Sequence, residues 1–208
     1  SCKTTSKYQA YNKIYEDKPV SVLLMPPINK STKVEAKQVF HSTLNVPLAN
    51  NGYYVVPPFL SMEILKQESA YNAEEFINKD LTKFGKVFGA DVVLYTIIHD
   101  WSKSALFSKI TVEIEYIIKS TKTNDILFSR KGEVIYDTSV STGSSSLIGA
   151  AIGAAASAVN TALTKYVKVA RACNNYALQD LPSGKYNPRH IADSSDKVGE
   201  KEFKVSLP

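Results

Sequence analysis

A chain of 208 residues, 44% hydrophobic and 22% charged, can build one substantial core and has the balance of an ordinary globular domain. Its net charge of +5 does not point to nucleic acid: only Arg130, Arg171 and Arg189 among the 25 basic residues are arginines, and the lysines are interleaved with 20 acids. No run approaches the roughly 18 apolar residues of a spanning helix, and two distant cysteines, Cys2 and Cys173, make no disulfide framework.

The chain opens Ser1-Cys2-Lys3-Thr4-Thr5-Ser6-Lys7, which looks like a bacterial lipoprotein after removal of its signal peptide, with Cys2 acylated and Ser1 before the cut. The competing reading is an idle thiol, although free cysteine is ordinarily buried rather than set in a polar terminus. Any membrane attachment would then come through a lipid on Cys2. Residues 3–18 carry Tyr8, Tyr11 and Tyr15 at helical spacing within a polar stretch. Residues 1–18 are expected to be a tether that turns helical near its end, with a short packing helix as the alternative.

From Pro19 the pattern changes. Val20-Ser21-Val22-Leu23-Leu24-Met25 reads as a buried strand stopped by Pro26-Pro27. Val34, Phe40, Leu44 and Leu48 then recur at helical intervals over 33–51, and Asn50-Asn51-Gly52 stops the helix. Tyr53-Tyr54-Val55-Val56 is a second strand, followed by Pro57-Pro58. This repeated order predicts a parallel β-α-β unit whose strands finish on one edge, where open α/β sheets bind ligands. Pro26, Pro27, Asn29, Pro57, Pro58 and Phe59 are accordingly a candidate ligand or partner edge, against the plainer reading of prolines as terminators. A helical region over 60–88 breaks near Tyr71-Asn72, and Ala73-Glu74-Glu75 is expected to start a new helix carrying Phe76, Ile77, Leu81, Phe84 and Phe88. Residues 91–99 form a third strand, apolar on both faces.

Residues 110–116 alternate, placing Ile110, Val112, Ile114 and Tyr116 inward and Glu113 and Glu115 outward. Turn chemistry at Lys122-Thr123-Asn124-Asp125 predicts a hairpin with 126–136, with a bulge at Gly132. The uncharged stretch 138–164 reads as a linker into a long small-residue helix. Gly149, Gly153 and Ser157 share one face of that helix, a candidate association surface or a tight packing face against the sheet. Residues 181–184 end the helix, and 203–207 are a candidate last strand. The expected architecture is one α/β domain over 19–184, built on a mixed sheet with an N-terminal β-α-β unit and a later antiparallel hairpin, then a C-terminal extension over 185–208.

Catalysis has little to build on. His41, His99 and His190 are isolated, and His99-Asp100-Trp101 reads as a strand-end turn because neighbours on a strand face opposite ways. No zinc or phosphate-binding spacing occurs, so no catalytic residue, metal or cofactor is expected.

The segments 25–31 (MPPINKS), 42–49 (STLNVPLA), 52–57 (GYYVVP), 88–95 (FGADVVLY), 147–150 (LIGA) and 181–188 (LPSGKYNP) occur in an order that resembles a family of bacterial lipoproteins typified by a meningococcal vaccine candidate. The resemblance spans roughly residues 20–190. It implies a fold like the amino-terminal domain of TolB, akin to CsgG-type envelope lipoproteins. It also implies an outer-membrane lipoprotein without enzymatic activity, working with neighbouring lipoproteins in envelope transport or assembly. The domain itself is expected in the periplasm, with the sheet edge and the small-residue helix face presented to other envelope proteins or to a second copy in a homo-oligomer. Cys2 falls where the family carries its lipidated cysteine, and Lys3 suits outer-membrane sorting. Lys185, Asn187 and the tail from Ile191 depart from the family pattern. The competing class is a ligand-binding or glycan-binding lipoprotein using the proline edge.

Overall fold

The computed structural model describes residues 4–139 and 154–208, with side chains from residue 162 in the second span. Cys2, Gly149 and Gly153 lie outside the described residues, as does the side chain of Ser157. Among the described residues seven strands form one mixed sheet: β1 (Ser21–Leu24), β2 (Ile28–Asn29), β3 (Tyr54–Val55), β4 (Val92–Lys103), β5 (Lys109–Ser120), β6 (Ile126–Asp137) and β7 (Glu202–Leu207). Their order is β3-β1-β4-β5-β6-β7, with β2 also pairing with β4. β1 is parallel to β3 and β4, β4-β5-β6 is an antiparallel meander, and β7 returns parallel to β6. The expected mixed α/β architecture is therefore observed, and the last strand belongs to the same sheet.

The strands with continuous apolar runs are those covered on both faces. Val22 and Leu24 of β1, with Val92, Leu94 and Ile98 of β4, face a core closed by α1 (Lys7–Asp17), α2 (Ala36–Thr43), α3 (Asn45–Asn50) and α6 (Ala154–Leu178). Leu23, Met25, Val93, Tyr95 and Ile97 face the other way, onto α4 (Pro58–Gln67) and α5 (Thr82–Phe88). The outer face of β5, β6 and β7 instead carries the exposed ion pairs Lys131–Glu113 (3.0 Å) and Lys204–Glu133 (2.7 Å). Across the larger core, the buried Tyr116 hydroxyl donates to Asn174 Oδ1 (2.6 Å) and Asn174 Nδ2 donates to Thr43 Oγ1 (2.9 Å), joining β5, α6 and α2. Cys173 is fully buried beside this chain of bonds, and burial pushes its thiol up, so it is inert packing.

Several local expectations give way to side-chain chemistry. Residues 7–17 are a packed helix: Ser6 and Gln9 form a capping box, and Tyr11, Ile14 and Tyr15 are buried. The expected helix over 33–51 is broken after Thr43, because Pro47 has no N–H to give the Thr43 carbonyl and its ring crowds that oxygen. Ala73–Glu75 makes only a 3-10 turn, and α5 starts at Thr82, where Asp80 Oδ1 accepts both the backbone N–H (3.0 Å) and the hydroxyl (2.7 Å) of Thr82. Gly132 is not a bulge. The register slips at His99, between Ile98 and Asp100, and again at Leu127. His99 consequently sits inside a strand that runs on to Lys103, not at a strand-end turn.

Candidate functional site

The two proline pairs do different jobs. Pro26 and Pro27 are buried, and Pro27 interrupts the first strand only briefly, since Ile28 and Asn29 resume pairing beside Ile97 and Ile98. Pro57 is extended, as the residue before a proline prefers, and Pro58 opens α4 at a position where a missing N–H costs nothing. Beginning there, α4 presents Phe59, Met62, Glu63 and Lys66 at i, i+3, i+4 and i+7, which is one helical face. α2 answers with Lys37, Gln38, His41 and Ser42. Between them, at the ends of the parallel strands, runs a groove of about 720 Å³ with Pro27 and Pro58 in its lining.

Phe59 and Val34 in its walls are both 83% exposed. Tyr71 lies under Lys37, whose ammonium is 3.6 Å from the ring centroid, and Lys66 is 5.9 Å from the same ring and 3.1 Å from Glu63 Oε1. Neither ring nitrogen of His41 meets water or a hydrogen-bond partner. Burial holds its pKa below the usual histidine range; the Pro58 carbonyl offsets part of this from outside hydrogen-bond geometry, and Lys37 adds to it. The imidazole is therefore a neutral, unsatisfied polar group in the groove wall.

Of the six residues expected at this edge, the groove brings together Pro27, Pro58 and Phe59. Asn29 lies in an adjoining cleft of about 170 Å³ shared through Pro27 and Lys37, but its amide is spent locally: Oδ1 accepts from the Ser31 N–H (3.1 Å) and hydroxyl (2.7 Å), and Nδ2 donates to the Lys33 carbonyl (2.7 Å). Pro26 and Pro57 line neither cavity. Val34, His41, Met62 and Tyr71 are additions that the sequence reading missed. The helical spacing of Phe59, Met62, Glu63 and Lys66 was a legible signal; the approach of α2 was not.

The histidines stay apart. His99 Nε2 is 2.7 Å from Glu115 Oε2, a partner supplied by the neighbouring strand rather than by Asp100, and His190 Nδ1 is 2.8 Å from the Ser183 carbonyl oxygen. Among the described residues no three His, Cys, Asp or Glu side chains gather as a metal site would require. Nor is any described helix long and apolar enough to cross a membrane.

Comparison with known proteins agrees with this architecture. The family described as "Putative lipoprotein GNA1162-like" matches residues 8–185. The "Putative lipoprotein NMB1124/NMB1162" of Neisseria meningitidis serogroup B is 29% identical over 156 residues, covering 74% of this chain and 72% of that protein. The crystal structure of lipoprotein GNA1162 from Neisseria meningitidis superposes with a TM-score of 0.53 at 27% identity, over 71% of this chain and 99% of that one. A PelC dodecamer from Paraburkholderia phytofirmans aligns at a TM-score of 0.47 and 12% identity, over 79% of this chain and 89% of that one. With the family match running from α1 to the turn after α6, the chain belongs to the GNA1162-like lipoprotein family.

Proposed function

We propose that this protein is a non-enzymatic lipoprotein, held to the outer membrane by a lipid on Cys2 with its domain in the periplasm, and that it acts as a scaffold or subunit of an envelope transport or secretion assembly. Kinship with the TolB amino-terminal domain and with CsgG-type lipoproteins is part of the same proposal. Family membership supports the lipoprotein character. The observation that carries the binding role is the groove between α2 and α4. Its volume would suit a small ligand, but walls that leave Phe59 and Val34 83% exposed would not bury one, whereas a partner segment laid along the groove would cover both. Family membership supports the non-enzymatic reading as well.

In-cell crosslinking followed by pull-down and mass spectrometry tests this, comparing wild type with Phe59→Asp. A fixed set of envelope proteins lost on Phe59→Asp, with the melting temperature unchanged, is the expected outcome; a set unaffected by the substitution removes the groove from the assembly. The groove's volume of about 720 Å³ and the presence of Pro27 and Pro58 in its lining support a second reading, a small ligand or glycan held at the proline edge. Recovery of no partner at all would shift weight to that reading.

A further inference from the structure

The turn joining β4 to β5 has the sequence Lys103-Ser104-Ala105-Leu106-Phe107-Ser108-Lys109. Leu106 is 88% exposed, more than any other large hydrophobic side chain described, and Phe107 is 65% exposed. This is not the exposure of a frayed loop. The Ser104 N–H donates to the Lys109 carbonyl (3.0 Å), the Lys109 N–H to the Phe107 carbonyl (2.7 Å), and the Phe107 N–H to Ser104 Oγ (3.2 Å). The Thr138 N–H and hydroxyl both donate to the Ser108 carbonyl at 2.7 Å, pinning the turn to the end of β6. A closed, anchored turn thus holds two adjacent apolar side chains out in water.

The turn also projects. β2 last pairs with β4 at Ile98, and β4 continues to Lys103, on the order of 16 Å further along the strand direction. Lys103 and Lys109 flank the apolar pair, and neither forms an ion pair among the described residues. No acid occurs between Asp100 and Glu113. Asp137 faces Lys109 across the β5-β6 ladder, but its carboxylate already accepts from the Ser139 hydroxyl (2.6 Å) and N–H (2.8 Å); these bonds, with Lys109 a lesser contribution, hold it below the usual carboxylate range.

We propose that this turn is a bilayer contact: Leu106 and Phe107 enter the interfacial layer of an anionic phospholipid leaflet while Lys103 and Lys109 meet its headgroups. Two side chains on a narrow turn are a poor protein interface, which ordinarily needs about 800 Å² from each partner. They suit a membrane, where any depth of apolar insertion is rewarded and long lysine stems reach back to the phosphates. A chain that carries no lipid on Cys2 reports the turn alone.

The test is co-sedimentation of full-length Cys2→Ser protein with phosphatidylethanolamine vesicles containing phosphatidylglycerol, against vesicles of phosphatidylcholine alone. Binding to the anionic vesicles is expected to fall about tenfold or more in L106S/F107S, which keeps the turn uncharged. Binding in K103Q/K109Q should fall several-fold and lose its salt dependence. Absence of wild-type binding to the anionic vesicles, or equal binding by L106S/F107S, overturns the proposal. Loss of a crosslinked protein in L106S/F107S, with vesicle binding absent in both forms, also overturns it and makes the turn a protein contact.

Discussion

Arg130 is 1% exposed; its Nε and Nη1 donors are spent on carbonyls, while Nη2 faces Asp180 without an aligned hydrogen bond. Nη1 donates to the carbonyls of Tyr176 (2.7 Å) and Ala177 (3.0 Å) in the last turn of α6, Nε donates to the Glu200 carbonyl (3.2 Å), and Nη2 lies 3.1 Å from Asp180 Oδ2. The guanidinium also sits over the rings of Tyr176 and Phe203. It satisfies carbonyls that the helix end leaves unpaired and ties them to β6 and the segment before β7. Arg130→Ala would strand Asp180 and those carbonyls, and a loss of about 3–5 kcal/mol is expected in urea unfolding. Asp193 performs a similar role at the other terminus. Its buried carboxylate accepts from the Ser183 N–H (2.8 Å), Lys7 Nζ (3.1 Å) and the Tyr15 hydroxyl (3.0 Å). Burial alone would raise its pKa, but donors from Ser183 and Lys7 outweigh it, so the folded value lies below the ordinary one. The stability this contributes is complete above the unfolded value of ~3.9 and disappears as pH falls through the lower folded value. The urea midpoint of wild type relative to Asp193→Asn should therefore be flat from neutral pH down to about pH 5 and shrink below about pH 4. A difference independent of pH would mean that the carboxylate charge is not what Lys7 and Ser183 recognise.

At the scale of elements, β7 depends on one glycine. A Cβ at Gly132 would collide with the Phe203 carbonyl oxygen and ring, because that ring fills the space where a side chain of β6 would point. Phe203 reaches Tyr176 from there, with ring centroids 5.0 Å apart. Gly132→Ala is expected to cost about 1–3 kcal/mol and to speed hydrogen exchange in 202–207 before the rest of the sheet. Uniform acceleration across all strands would show that β7 is no separate unit. The long helix supplies another element-scale prediction, for residues outside those described. If the face of Gly149, Gly153 and Ser157 pairs with a second copy or a partner helix, Gly153→Leu should lower the mass of the complex while leaving the melt unchanged. Unfolding instead would place that face against the sheet of its own chain.

For the whole molecule, the disposition of surfaces matters most. The groove of Phe59 and Met62 lies at the ends of the parallel strands, and the turn of Leu106 and Phe107 projects beyond that register from the antiparallel half. Both lie at the same end of the sheet, so a bilayer touched by that turn would stand on the same side of the domain as the groove. Cys2→Ala in cells should move the full-length protein from the membrane to the soluble fraction, and unchanged partitioning would remove the lipid from this picture. The fractionation reads the anchor, whereas vesicle binding of the non-acylated chain reads the turn, so each can fail alone.

The sequence by itself determined the strands and their faces. Continuous runs such as 92–98 and the alternation over 110–116 are set by burial on two faces or one, and burial is what apolar spacing records. It also determined the β-α-β start and the hairpin, through proline pairs, Asn51-Gly52 and the turn at 122–125. Only the tertiary structure decided where helices break, because Pro47 and Asp80 act through particular carbonyls and N–H groups rather than through periodicity. It alone chose the packing helix over the tether for α1, because the helical spacing of Tyr11 and Tyr15 gains burial only when Phe128 lies opposite, its ring 4.6 Å from that of Tyr11. And it alone assembled the groove, because Phe59 and His41 are far apart in the chain and meet only through the way α2 and α4 pack at the ends of the parallel strands.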